Sequence, residues 1–240
     1  MRILLLQART SNDPAKHNER VSFAHKARLP VDALTPFDLL AAPPTLAEMQ
    51  AYDAVMVGGS GDYYVSKGNL PHYTETKAAL LALVETGHPM FASCFGYQVL
   101  VDAMGGEIVY LPEKMEVGSY QLTLTPEGKE DALLGTFPEM FTAQLGHQDQ
   151  ATRLPKGTLN LASSERSPYQ AFRVPGKPIW ATQFHPELSR SENLKRFNRY
   201  LDTYSKVMTP EERETATSNF RESPETETLI GKFIEYIQTS

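Results

Sequence analysis

Apolar positions along this chain fall into short unbroken runs separated by stretches with a helical period. Residues 3–8 (Ile-Leu-Leu-Leu-Gln-Ala) are nearly continuous in apolar character. That pattern predicts a strand covered on both faces rather than one alternating between core and water. Residues 54–57 repeat it and end at Gly58-Gly59. Residues 74–86 set Ala78, Leu81, Ala82 and Glu85 at helical spacing and stop at Gly87 and Pro89, a helix with its terminator. Residues 89–93 read as a third strand, Cys94 as a sharp turn, and 98–104 as a helix closed by Gly105-Gly106. Strands alternating with helices in this way predict an α/β fold, with an open, mostly parallel central sheet flanked by helices.

The texture changes between 107 and 184, where short extended runs (121–124, 140–145, 159–163, 170–174, 179–184) are punctuated by proline and glycine. This half is expected to hold antiparallel strands as well as returns to the main sheet. Residues 191–204 read as an amphipathic helix with Leu194, Phe197 and Leu201 on one face. The main domain is expected to span 1–204 and a short C-terminal helical extension 205–240. The extension has helix starts at Thr209-Pro210-Glu211-Glu212 and Ser223-Pro224-Glu225. Its stripe of Leu229, Phe233, Ile234 and Ile237 is expected to dock on the domain, with a partner or dimer surface as the alternative. Residues 10–30 read as a long loop, or a loop plus a helix, near the carboxyl edge of the sheet.

Composition narrows the class. With 240 residues, 41% of them hydrophobic and 22% charged, the chain has enough apolar mass for a full core. A net charge of -6 lacks the basic footprint of a nucleic-acid binder. The apolar start is cut short by Gln7 and Arg9, well before a signal-peptide core or a membrane span, so a cytoplasmic protein without a membrane partner is expected. One cysteine excludes an internal disulfide framework and a multi-thiolate zinc site. The six histidines form no HExxH pair, so no metal is expected.

That single cysteine stands in Met90-Phe91-Ala92-Ser93-Cys94-Phe95-Gly96-Tyr97-Gln98, between a strand and a helix, on the kind of turn that presents a nucleophile. Unpaired N–H groups and the dipole at a helix N-terminus favour the thiolate. The N–H of Phe95 is aimed to receive an oxyanion formed at a carbonyl attacked by Cys94. A buried, inert cysteine is the competing reading of this turn taken alone. Gln183-Phe184-His185-Pro186-Glu187 shifts the balance. Pro186 biases His185 toward extended backbone, and two residues apart in an extended stretch face the same side, so Glu187 can orient the imidazole. The other ring nitrogen is then free to take the thiol proton. Gly58-Gly59-Ser60-Gly61 adds backbone that can approach a ligand closely. It is not a dinucleotide fingerprint, because Tyr64 stands where the last glycine is needed.

These three pieces in this order resemble the class I (triad) glutamine amidotransferase family over roughly residues 1–204. The family's G-x-C-x-G-x-Q motif is matched at Cys94, Gly96 and Gln98 and departs at Ala92. The His-Pro-Glu motif is complete. Gly146-His147-Gln148-Asp149 resembles the family's Ser-His-Gly-Asp segment, with glycine for the serine and Gln148 for the glycine. The resemblance implies a Cys94 nucleophile, a His185 base and Glu187 behind it. It further implies an oxyanion hole from Gly59 and Phe95, and substrate contacts at Gly58, Gln98, Gly146 and His147. Glutamine would be hydrolysed through a γ-glutamyl thioester without a cofactor, with ammonia passed to an acceptor synthase, as in the small GMP-synthase-like members. Two alternatives stay open: a γ-glutamyl peptidase or hydrolase, and a non-catalytic relative.

Overall fold

The computed structural model describes residues 1–239. In chain order the elements are β1 (Ile3–Ala8), α1 (Pro14–Lys26), β2 (Leu34–Asp38), α2 (Leu46–Gln50), β3 (Ala54–Ser60), α3 (Tyr73–Thr86), β4 (Met90–Ser93) and α4 (Phe95–Ala103). Then come β5 (Glu107–Tyr110), β6 (Glu116–Leu124), α5 (Pro126–Lys129), β7 (Met140–His147), β8 (Asp149–Arg153), β9 (Leu159–Ser164), β10 (Ala171–Arg173) and β11 (Ile179–Thr182). The chain closes with α6 (Arg190–Arg199), α7 (Leu201–Tyr204), α8 (Pro210–Ser218) and α9 (Leu229–Thr239).

Among the described residues a nine-stranded sheet runs β2-β1-β3-β4-β11-β10-β9-β6-β7. The five strands from β2 to β11 are parallel, and each pairing from β11 to β7 is antiparallel. The parallel strands explain the unbroken apolar runs, since both faces are covered. Ile3 and Leu5 of β1 join Phe23 of α1 and Phe233 of α9 in one core. Leu4 and Leu6 join Leu80 of α3 and Val99 of α4 in the other. Strand alternation thus feeds two cores, with α1 and α9 on one face and α2, α3 and α4 on the opposite one. The predicted α/β class with a mostly parallel sheet is the observed architecture.

Local chemistry sets the boundaries. Asp13 caps α1 by accepting from Ala15 N–H, and of the two readings of residues 10–30, a long loop or a loop plus a helix, the second is the observed one. Gly87 ends α3 with φ 72°. Helix α4 starts at Phe95, directly after the turn, three residues earlier than the spacing suggested. The helix expected over 191–204 breaks at Tyr200, which is why Leu201 is left exposed rather than sharing the buried face of Phe197.

The C-terminal stripe docks inward. Phe233 lies 5.5 Å from Phe91 and 6.2 Å from Trp180, ring centre to ring centre. Leu229, Phe233 and Ile234 are all buried, and burial of a side chain of this size contributes roughly 1.5–3 kcal/mol. No described helix is long and apolar enough to cross a membrane.

Candidate active site

Cys94 and His185 are far apart in sequence but emerge from adjacent parallel strands. Ser93, ending β4, pairs with Thr182, ending β11, and Cys94 N–H donates to the Thr182 carbonyl at 2.8 Å. Both residues therefore leave the sheet at the same carboxyl edge. Cys94 sits at φ 51°, ψ -103°, a backbone conformation that a side chain adopts only under constraint. The turn closes because residue 96 is glycine: a Cβ there would stand 2.6 Å from the Val57 carbonyl oxygen. Phe95 then opens α4 with an N–H that has no acceptor inside the helix.

His185 is fixed from two sides. Its backbone N–H donates to the Gln144 carbonyl at 2.9 Å, and its Nδ1 faces Glu187 Oε1 at 2.7 Å. Burial alone would lower the imidazole pKa. The Glu187 charge and a contact with Cys94 outweigh it and raise His185 to about 9. Burial pushes Glu187 the other way, but His185 and then Arg196 hold it at about 2. The Gln183 side-chain amide donates to Cys94 Sγ at 3.8 Å. The nucleophile, base and orienter picked out by the sequence are thus brought together, all three buried.

The cleft above Cys94 is narrow, about 60 Å³, against the 300 Å³ or more usual for small-molecule sites. It is lined by Cys94, Phe95 and Gln98 together with Tyr63, Tyr64, Arg196, Tyr200 and Tyr204. Arg196 Nη1 lies 3.4 Å from Glu187 Oε1. Asp149, also lining the cleft, anchors the segment after Tyr64, since its carboxylate accepts from Ser66 N–H at 2.9 Å and Ser66 Oγ at 2.6 Å.

The remaining expected residues fare differently. Gln98 reaches the cleft, but its amide protons go to Asp149 O at 3.0 Å and Gln183 Oε1 at 3.1 Å. Gly146 and His147 line the cleft, though both His147 ring nitrogens are engaged, Nδ1 with Asp149 O and Nε2 with Glu116 Oε2, each at 3.0 Å. What His147 offers a substrate is ring surface.

The glycine turn departs from expectation. Gly59 N–H does not face Cys94; it donates to Glu19 Oε1 at 3.0 Å. Ser60 and Gly61, not Gly58 and Gly59, line the cleft. The cause is Glu19 of α1, a fully buried carboxylate that needs donors and takes them from Gly59, from Arg9 Nη2 at 3.0 Å and from Gln7 Nε2 at 3.0 Å. A Cβ on Gly58 would stand 2.7 Å from that carboxyl carbon. For Gly59 to serve an oxyanion it must exchange Glu19 for it. Arg9 continues through Nη1 to Tyr200 Oη at 2.8 Å and to Asp13 at 3.2 Å. Arg9, Glu19, Arg196, Tyr200 and Tyr204 were missed by the sequence reading. The available signal was Arg9, a charge placed just where an apolar strand ends. No group of three or more His, Cys, Asp or Glu among the described residues has a metal-holding arrangement.

A family model described as glutamine amidotransferase class-I matches residues 33–201. A glutamine-hydrolyzing GMP synthase of Aquifex aeolicus is 31% identical over 140 residues, covering 58% of this chain and 25% of that protein. A protein of Methanocaldococcus jannaschii named as one subunit of a glutamine-hydrolyzing GMP synthase is 34% identical over 119 residues, 50% of this chain and 60% of that protein. The chain thus spans about a quarter of the full-length synthase of Aquifex aeolicus. A glutamine amidotransferase of Thermotoga maritima superposes with a TM-score of 0.71 at 18% identity, over 100% of this chain and 99% of that one, a likeness of fold.

Proposed function

This chain belongs to the class I glutamine amidotransferase family, and from that we propose that it hydrolyses the side-chain amide of glutamine through a thioester on Cys94 and passes the ammonia to a separate synthase. The observation that carries the reading is the His185–Glu187 contact of 2.7 Å set against Cys94 at the start of α4. The Cys94 thiolate attacks the amide carbon, and the oxyanion that forms is received by Phe95 N–H. Imidazolium at His185 gives its proton to the departing amine, so ammonia leaves and a γ-glutamyl thioester remains. His185, now neutral, takes a proton from water. The hydroxide adds to the thioester carbon and cleaves the C–S bond, releasing glutamate and restoring the thiolate.

A separate acceptor enzyme is suggested by the relatives, since the Methanocaldococcus jannaschii protein is named as one part of a synthase rather than as the whole. The test compares ammonia release from glutamine with amine release from γ-glutamyl peptides by the purified chain. A glutamine-directed affinity label is expected to add once, on Cys94, and Cys94→Ala is expected to abolish both label and turnover. Labelling of Cys94→Ala at an equal rate would overturn the assignment of the nucleophile. Faster release from γ-glutamyl peptides would replace the amidotransferase reading with the hydrolase one.

A further inference from the structure

Tyr204, the last residue of α7, brings to the cleft a hydroxyl that the protein itself does not use. Its ring stacks on Phe197 with centroids 5.3 Å apart and planes inclined by 25°, a contact that phenylalanine would make equally well. The ring is half-buried, and the oxygen has no hydrogen-bond partner among the described residues. A tyrosine placed where one end is packed and the other open normally finds a partner for its hydroxyl. Here the open side is the space over Cys94.

Gly146 explains why the oxygen fits there. A Cβ on Gly146 would lie 3.3 Å from Tyr204 Oη, and that is the one close contact it would meet. The backbone at 146 lies outside the left-handed region, so glycine is not required by conformation. A side chain at 146 would instead crowd the Tyr204 hydroxyl. The segment resembling Ser-His-Gly-Asp carries glycine at 146, and the hydroxyl of residue 204 stands beside it. Burial first, and then the nearby Cys94, hold the Tyr204 hydroxyl above its ordinary pKa, so it stays protonated and able to donate. On the preceding helix Arg196 adds positive charge beside the same cleft.

We propose that Tyr204 is a substrate-binding residue whose hydroxyl, beside Gly146, donates to the α-carboxylate of the glutamyl group. This rests on the glutamine-hydrolase reading above. A hydrogen bond to a charged ligand group is worth about 10–100-fold in binding, so Tyr204→Phe raises KM for glutamine by at least tenfold, with kcat changed by less than about threefold. Alkylation of Cys94 by iodoacetamide, which carries no carboxylate, proceeds at the wild-type rate. Gly146→Ser alone crowds Tyr204 and also raises KM. The double variant Gly146→Ser/Tyr204→Phe recovers part of the lost affinity, because a side-chain hydroxyl returns to the site.

The experiment is steady-state kinetics of these four proteins with glutamine and with its α-carboxamide analogue. The carboxamide costs the wild type affinity and costs Tyr204→Phe almost nothing further. An unchanged KM in Tyr204→Phe, or a double variant no better than the worse single one, overturns the inference while ammonia release leaves the glutamine-hydrolase reading standing. A wild-type chain that neither releases ammonia from glutamine nor takes a γ-glutamyl affinity label on Cys94 overturns both.

Discussion

Two fully buried carboxylates lie at the carboxyl edge of the parallel strands, Glu187 beside His185 and Glu19 beside Arg9. Each faces a cationic partner at 3.0 Å or less. Their surroundings differ. Glu19 has both oxygens satisfied, Oε1 by Arg9 and Gly59 N–H and Oε2 by Gln7. Glu187 commits Oε1 to His185, with Arg196 close by, and leaves Oε2 buried without a hydrogen-bond partner among the described residues. Burial lowers the Arg9 pKa, but Glu19 and the neighbouring groups raise it well above an already high value, so Arg9 keeps its charge. His185 titrates near 9. One carboxylate is built to hold a backbone strand in place, the other to set the charge of His185.

The strongest test of that distinction is Glu187→Gln. The amide keeps shape but removes the charge that fixes and raises His185, and kcat is expected to fall by about 10³–10⁴-fold. The sign of the pH effect follows from the causes. Without the carboxylate, burial dominates and the His185 pKa drops, so the alkaline limb of kcat/KM moves from about 9 toward lower pH. A limb that stays in place under stopped-flow or coupled assay would remove Glu187 from the role of orienting the base.

These two pairs also separate what a sequence can reveal from what it hides. Cys94, Gly96 and Gln98 stand within five residues, and His185 and Glu187 within three, so their geometry is set by one turn and one extended segment. Unbroken apolar runs disclosed the parallel strands for an equally local reason. Glu19 sits instead in a polar stretch, with an exposed histidine two residues before it and an intermediate arginine directly after it. Its burial depends on Gly58 and Gly59, about forty positions away, leaving no Cβ in the way. Tyr204 was hidden by a helix break at Tyr200, where Tyr200 packs on Gly61 closely enough that a Cβ on Gly61 would meet its hydroxyl at 2.9 Å. Such contacts belong to the assembled sheet edge, and no local period records them.

Arg9→Met breaks the other pair. It leaves the Glu19 carboxylate in the core with only Gln7 and Gly59 N–H as its donors, and loss of one partner from a buried pair costs about 3–5 kcal/mol. Denaturant unfolding is expected to show that loss. Adding Glu19→Gln to Arg9→Met removes the stranded charge and returns part of it, a favourable coupling in a double-mutant cycle. Losses that simply add would mean that the two side chains act independently.

The smallest expected effect compares the pairs directly, through melting temperature against pH for the wild type, Glu187→Gln and Glu19→Gln. The His185 pKa is raised from 6.5 to about 9, so the stability it contributes is complete below 6.5 and lost as pH rises through 9. The Glu187 pKa is lowered from 4.5 to about 2, so its contribution is complete above 4.5 and lost as pH falls through 2. The gap between the wild type and Glu187→Gln is therefore widest between pH 4.5 and 6.5, about 1.5–3 kcal/mol for a charge-assisted hydrogen bond. It closes toward pH 9 as neutral histidine leaves Glu187 a buried charge with a weaker partner. The Glu19→Gln gap does not close over that rise, because Arg9 keeps its proton throughout. If both gaps hold constant to pH 10, the His185–Glu187 pair stabilises by fit rather than charge, and Glu187 is then no more a charge-setting group than Glu19.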